Sequence, residues 1–288
     1  MLALDYALAI DWQPSEDDVT RYELDGFFIS PPIIAPSLLD QAWRAIEAFL
    51  ESDTSIIDKR ARLSDQHRKQ GAPLDHVGYL YHEIPEVRAL LDHAPIAATA
   101  GHLARATSIR LFHDRLLIKP TGGAEAASIG WHVDRAYWYS CTSDQMLTAW
   151  VPFVDIEVDM GPLTVLRGSH RWDETPLMAT AHRTDMDTLW AEASCGPAAV
   201  GVPLLMRRGQ VSFHHCRIVH GSLPNIGSVN RAALAFHLQT GDNMHRQVLL
   251  PNGRELGHTN DLLCRRDVKG QPDYSDPDIF PTLWTQSG

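Results

Sequence analysis

The chain has 288 residues, 44% of them hydrophobic, with 36 acidic and 25 basic side chains and a formal net charge of −11. That apolar content is enough for a packed core and excludes a mainly disordered protein. The acidic balance argues against a surface built for nucleic acid or anionic lipid, and no apolar run approaches the ~18 residues that cross a membrane.

The start of the chain lacks a positive n-region and soon runs into acids, which is not the pattern of a signal peptide. Cys141, Cys195, Cys216 and Cys264 lie far apart with no C-x-x-C, so neither a zinc knuckle nor a redox motif is visible. A cytoplasmic protein is expected. Residues 15–50 read as an acidic start, a short apolar run from Gly26 to Ile29, a Pro-Pro break and a helix. Ser37 is its expected N-cap, and Leu38, Leu39, Trp43, Ile46 and Leu50 recur at helical spacing. Residues 51–75 are polar, with basic side chains at Lys59, Arg60, Arg62, Arg68 and Lys69. They read as a solvated loop, or alternatively as a lid over a site. Residues 83–106 read as helical, with Pro85 in the first turn.

After about residue 107 the texture changes to short apolar runs at 108–118, 147–154, 163–166, 210–215 and 231–238. Clusters of Gly, Pro, Asn and Asp separate them, the pattern of a β-sandwich or barrel. Residues 172–200 form an irregular insert. The expectation is one mainly β domain with flanking α-helices over 1–288. Its helical part covers about 15–106, its β core about 107–245 and its C-terminal extension 246–288.

Fifteen histidines are a compositional excess, and His132-Val133-Asp134 is the one H-x-[DE] triplet among them. Chance alone would give about two such triplets, so geometry matters more than the count. Residues two apart on a strand share a face, which lets the imidazole and the carboxylate reach one ion. Two histidines and one carboxylate occupy one face of an octahedral metal and leave three positions open, the arrangement of non-haem Fe(II) oxygenases. The second histidine is expected from a distant strand. His220 is the best candidate, ending the run Gln210–Ser222; His214 and His215 in that run are its rivals. The next strand opens with Arg231. If Arg231 points inward, Ala233 and Ala235 share its face and leave space while Leu234, Phe236 and Leu238 pack behind. An inward guanidinium beside small residues needs a buried anion, and a dicarboxylate co-substrate would supply it.

His132-x-Asp134, His220 86 residues later and Arg231 a further 11 on resemble the Fe(II)/2-oxoglutarate dioxygenases of the phytanoyl-CoA dioxygenase-like family. The likeness extends through segments 113–120, 131–138, 147–152, 159–170 and 220–222, in order and over about residues 20–245. It implies a double-stranded β-helix, a cupin-like jelly roll whose open end holds the metal. It also implies a reaction in which 2-oxoglutarate and O2 yield succinate and CO2 while a small organic substrate is hydroxylated. Desaturation, epoxidation, cyclisation or epimerisation are its alternative outcomes. His132, Asp134 and His220 would hold Fe(II). Arg231 would bind the distal carboxylate of 2-oxoglutarate, helped by Ser222, with Trp150 packing against the co-substrate and Arg115 and Lys119 facing the cavity together. Relatives that transfer chloride carry a small residue where this chain has Asp134, so the carboxylate favours oxygenation.

His113, Tyr137 and Trp138 are candidate substrate contacts, and His170 is expected to order a turn. The substrate is expected to be a secondary metabolite, a modified amino acid or a lipid-like acid. The charge of −11 weakly disfavours an acyl-CoA. A cupin-like metalloprotein that ignores 2-oxoglutarate, or a non-catalytic jelly roll that binds a ligand, are the rivals from other classes.

Overall fold

The computed structural model describes residues 8–9, 11–51, 75–123, 128–172, 200–253 and 255–286. Residues 52–74 of the loop or lid expected over 51–75, with its basic cluster, and most of the insert expected over 172–200 lie outside the described residues, as does Cys195.

The N-terminal third is helical for local reasons. Helix α1 (Glu16–Asp25) is opened by a reciprocal capping pair between Ser15 and Asp18, and it ends on Gly26 at φ 80°, which turns the chain into strand β1 (Phe27–Ile29). Helix α2 (Pro36–Glu51) starts at Pro36, one residue before the expected cap Ser37, because the fixed φ of proline suits the first helical position. It buries Leu39, Ala42 and Ile46. After strand β2 (Asp75–Gly78) come α3 (Leu80–Glu83), α4 (Pro85–Leu91) and α5 (Ala94–Leu103), so the stretch 83–106 expected to be helical begins on the last residue of α3 and holds two separate helices. Pro85 and Pro95 lack the N–H that a continuous helix would use, so each opens a new helix.

The remaining strands are β3 (Ser108–Lys119), β4 (Ile129–His132), β5 (Leu147–Pro152), β6 (Thr164–Leu166), β7 (Gly201–Pro203), β8 (Ser212–His215), β9 (His220–Ser222), β10 (Arg231–Thr240) and β11 (Thr282–Thr285). They form a large sheet in the order β1-β8-β5-β10-β3-β11, with β2 also on β3, and a small sheet in the order β4-β9-β6-β7. From β3 onward the chain passes back and forth between the two sheets. This is a double-stranded β-helix, as the strand pattern and the family resemblance led one to expect.

Strand β10 shows how the sequence builds both faces. Ala232, Leu234, Phe236 and Leu238 pack outward with Leu39, Ile46, Leu90 and Ile96 of the helices. Ala233 and Ala235 face inward with Trp150, Val165, Met206 and Ile218. Arg231 shares that inward face by the period of two. On β3, Asp114 points the other way and accepts from the backbone N–H groups of Leu80 and Tyr81, tying the start of α3 to the sheet.

The run 210–222 is not one strand. β8 belongs to the large sheet and β9 to the small one, joined by a turn in which Ile218 N–H donates to the His215 carbonyl at 2.9 Å. The His215 ring closes the turn by accepting from Arg217 N–H at 3.1 Å. His170, expected to order a turn, binds the Glu23 carbonyl at 3.0 Å and lies against His215.

The C-terminal residues fold back onto the large sheet. β11 pairs with the start of β3, while Tyr274, Ile279 and Phe280 bury Phe112 and Trp138. Between them, helix α6 (Asn260–Leu263) supplies Asn260, which donates to the Phe112 carbonyl and accepts from the Tyr79 hydroxyl.

Candidate active site

Two strands of the small sheet bring the histidines together. His132 ends β4 and His220 opens β9, and the two residues are directly paired across the antiparallel ladder. Gly221 permits that close approach, since a Cβ there would lie 2.9 Å from the Ile129 carbonyl oxygen. Asp134 lies beyond the end of β4, at the first position of a one-turn 3-10 helix (Asp134–Ala136), rather than on the strand as expected. Val133 keeps an extended backbone at φ −121° and ψ 136°, so the two side chains still project to one side. His132 Nε2 and His220 Nε2 lie 3.8 and 3.6 Å from Asp134 Oδ1, and the two rings are 4.1 Å apart.

The protonation of the three groups follows from their partners. His132 Nδ1–H donates to the Gly130 carbonyl at 2.7 Å and His220 Nδ1–H donates to the Ile218 carbonyl at 3.0 Å. Both Nε2 lone pairs are thereby turned toward the carboxylate. Burial pushes both imidazoles below their ordinary pKa, keeping them neutral. Burial alone would raise Asp134, but the His220, His214 and His237 imidazoles around it outweigh that and hold it well below the usual carboxylate range. Three electron-pair donors thus converge within 4.8 Å, all buried and without a proton between them. Such a set is stable around a cation and repulsive without one, so it fits a divalent metal of the 2-His-1-carboxylate type.

Beside the triad is a basic pocket. Arg231 pairs with Lys119 across β10 and β3, so both side chains stand on the inner face. Both are essentially fully buried, and neither forms an ion pair with a described carboxylate. Arg231 donates through Nη1 to the Gly161 carbonyl, lies 5.5 Å from the Trp150 ring centroid, and leaves Nε without a partner. Gly161 reaches that position at φ 59°, packed so closely on the Leu223 carbonyl that a Cβ would lie 2.2 Å from it. Lys119 donates to the Ser222 carbonyl at 3.0 Å and to the Leu223 carbonyl. The buried Ser222 hydroxyl has no hydrogen-bond partner. Burial lowers Arg231 to about 9; burial and the Arg231 charge lower Lys119 to about 6. Two buried bases, an orphan hydroxyl and an aromatic face, with Ala233 and Ala235 leaving room, fit a carboxylate.

Arg115 does not join Lys119 in that pocket. It lies on the same face of β3, opposite Ala235, but is exposed, and its charge acts on His113, His237, His258 and Tyr79. His113 is buried with its Nε2 unpartnered, 4.4 Å from the His237 ring and 5.3 Å from the His258 ring. Trp138 is a core residue, 2% exposed, with its edge to His237 and His113. Tyr137 is half-buried with its ring 6.0 Å from that of His132, and is the better placed of the two to meet a substrate. His214 is buried near the triad, 3.5 Å from Asp134 Oδ2, while His215 faces Tyr22 and His170. Sequence reasoning missed Thr148, His237 and His258. Nothing in their local pattern marks them; only the period of two, run across neighbouring strands, places Thr148 and His237 on the inner face.

The fold is a cupin-like jelly roll, and its His132, Asp134 and His220 are a set that could hold a single metal ion. Residues 22–233 match the phytanoyl-CoA dioxygenase family, and the chain belongs to that family. It is an iron- and 2-oxoglutarate-dependent oxygenase. Among characterised relatives, the ectoine dioxygenase of Bordetella bronchiseptica is 23% identical over 231 residues, covering 76% of this chain and 73% of that one. Among solved structures, the 2-oxoglutarate-dependent carbocyclase SnoK of nogalamycin biosynthesis superposes with a TM-score of 0.70 at 23% identity, over 94% of this chain and 97% of that one. The epimerase SnoN, in complex with Fe3+, 2-oxoglutarate and nogalamycin RO, gives 0.67 at 24%, over 93% and 98%. Among the described residues, no helix is long and apolar enough to cross a membrane.

Proposed function

We propose that His132, Asp134 and His220 hold Fe(II) and that Arg231, Lys119 and Ser222 bind the distal carboxylate of 2-oxoglutarate. In this reading the enzyme hydroxylates a small organic substrate that meets His113 and Tyr137. The observation that carries it is the juxtaposition of a cation-seeking triad with a buried, ion-unpaired pair of bases. When bound, the iron couples oxidative decarboxylation of 2-oxoglutarate to insertion of one atom of O2 into a substrate C–H bond, giving succinate, CO2 and an alcohol.

The chain supplies position, charge and shelter. Asp134, held ionised, offsets one of the two charges of the metal, and the two backbone-anchored imidazoles fix the direction of the other donors. Trp150 covers the Arg231 guanidinium and limits its contact with water, which strengthens the pairing with an incoming carboxylate. Phe112, Trp138, Tyr274 and Phe280 pack behind His113 and His237 and keep that wall dry. The acidic balance of the chain and the low pKa values to which burial pushes His113, His237 and His258 favour a small, weakly charged substrate over an acyl-CoA.

Anaerobic addition of Fe(II) and then 2-oxoglutarate tests the assignment. The wild-type chain should develop the visible charge-transfer band of a keto-acid chelate, and Asp134→Ala should not. A folded wild-type protein with no band would overturn the proposal. Succinate release across a panel of small acids, amino-acid derivatives and polycyclic metabolites then identifies the substrate.

A further inference from the structure

A polar row crosses the inner face of the large sheet beneath the candidate metal site. His214 on β8 pairs with Thr148 on β5, Thr148 pairs with His237 on β10, and His237 pairs with His113 on β3. All four side chains are buried. Between this row and the buried bases Arg231 and Lys119 the face is apolar, with Trp150, Ala233 and Ala235, so the polar groups of the row need partners of their own.

The partner is Asp134, whose two oxygens have different neighbours. Oδ1 faces the Nε2 atoms of His132 and His220. Oδ2 accepts from the Thr148 hydroxyl at 2.8 Å and has His214 Nε2 at 3.5 Å and His237 Nδ1 at 3.9 Å. The hydroxyl has one proton, and a carboxylate can only accept, so that proton goes to Asp134. The 2.8 Å contact between His237 Nδ1 and the Thr148 oxygen must then run from His237 to Thr148. The chain of donors is ordered: His237 to Thr148 to Asp134.

We propose that Thr148, held in this direction by His237, is a positioning residue that keeps Oδ2 engaged so that Asp134 offers Oδ1 alone to the metal. The inference rests on the reading of the triad as the iron site. A carboxylate torsion is broad, so an unrestrained Asp134 could present either oxygen or both. Thr148 is β-branched and stiff at χ1, and His237 removes the freedom of its hydroxyl, so together they select one orientation. A carboxylate bound through one oxygen leaves three coordination positions open, the number that the keto-acid and O2 together require.

Co(II) titration of the wild-type protein, Thr148→Val, Thr148→Ser and His237→Leu tests this, alongside the charge-transfer band of the anaerobic Fe(II) and 2-oxoglutarate complex. Thr148→Val keeps the volume and removes the hydroxyl; it should weaken Co(II) binding about 10–100-fold and shift the band. Thr148→Ser should stay within about 3-fold of wild type, because it restores the donor. His237→Leu should fall between them, and it carries the test if the valine variant does not fold. Thr148→Val with wild-type Co(II) affinity and an unmoved band would overturn the proposal. So would a serine variant as weak as the valine one, which would assign the effect to packing. Failure of the wild-type chain to bind Co(II) would overturn the iron assignment itself.

Discussion

Replacing Arg231 with Met separates the two roles that a buried base can have. In the ligand-free protein Arg231 has no carboxylate partner among the described residues, and burial lowers its pKa from 12.5 to about 9. At ~1.4 kcal/mol per tenfold, that fall corresponds to roughly 4–5 kcal/mol acting against the charged form. Methionine removes that penalty and also removes the hydrogen bond to the Gly161 carbonyl and the contact with Trp150, about 1–2 kcal/mol each. The net is a ligand-free protein about 0–3 kcal/mol more stable, a melting temperature unchanged or raised by up to about 10 °C at about 2–4 °C per kcal/mol. With 2-oxoglutarate the sign reverses. Truncating one partner of a buried charge pair costs about 2–5 kcal/mol, which is roughly 30- to 4,000-fold in affinity. Thermal melts of the metal-loaded protein, with and without 2-oxoglutarate, read both effects in one assay, and the KM for 2-oxoglutarate in succinate release repeats the second. An Arg231→Met protein that melts lower without 2-oxoglutarate yet binds it as well as wild type would refute the reasoning, because Arg231 would then be a structural residue.

Lys119 makes a pH-dependent prediction. With a folded pKa of about 6 it is a neutral amine near pH 7.5, and its two N–H groups match the two carbonyls it meets. A dianion bound beside it restores the charge, so 2-oxoglutarate binding at pH 7.5 should take up close to one proton, measured by calorimetry in buffers of different ionisation enthalpy. The unfolded chain holds the proton up to about 10.5, so this group makes folded stability rise as pH climbs from about 6 toward 10.5. In Lys119→Met both the uptake and that rise should disappear; their persistence would point to another group. For the rival histidines, His220→Ala should abolish Co(II) binding while His214→Ala weakens it by no more than about 10-fold. The opposite ranking would move the ligand from β9 to β8.

Much of the fold was legible because two periodicities are strong. The alternation Ala232, Leu234, Phe236, Leu238 against Ala233 and Ala235 marks β10 as buried on both faces, and the structure places the two sets against the helices and in the interior. The strand β4, with its short span from Ile129 to His132, carries no such pattern; only the His132-x-Asp134 spacing pointed to a strand there, and the strand ends at His132, before Asp134. Pro95 broke a helix that apolar spacing made continuous. The run 210–222 concealed a change of sheet, because residues on both sides of the turn are apolar.

By itself, the sequence determined the candidates for the ligand set: His132 and Asp134 are close along the chain, and His220 and Arg231 follow at spacings that resemble a family. What it could not contain is which atoms face each other. The tertiary structure decided that His220 stands opposite His132, that Arg115 leaves Lys119 and reaches solvent, and that Asp134 rests on Thr148. Those relations arise from register between strands far apart in sequence, and register is fixed by the burial of whole faces rather than by any residue's own neighbours.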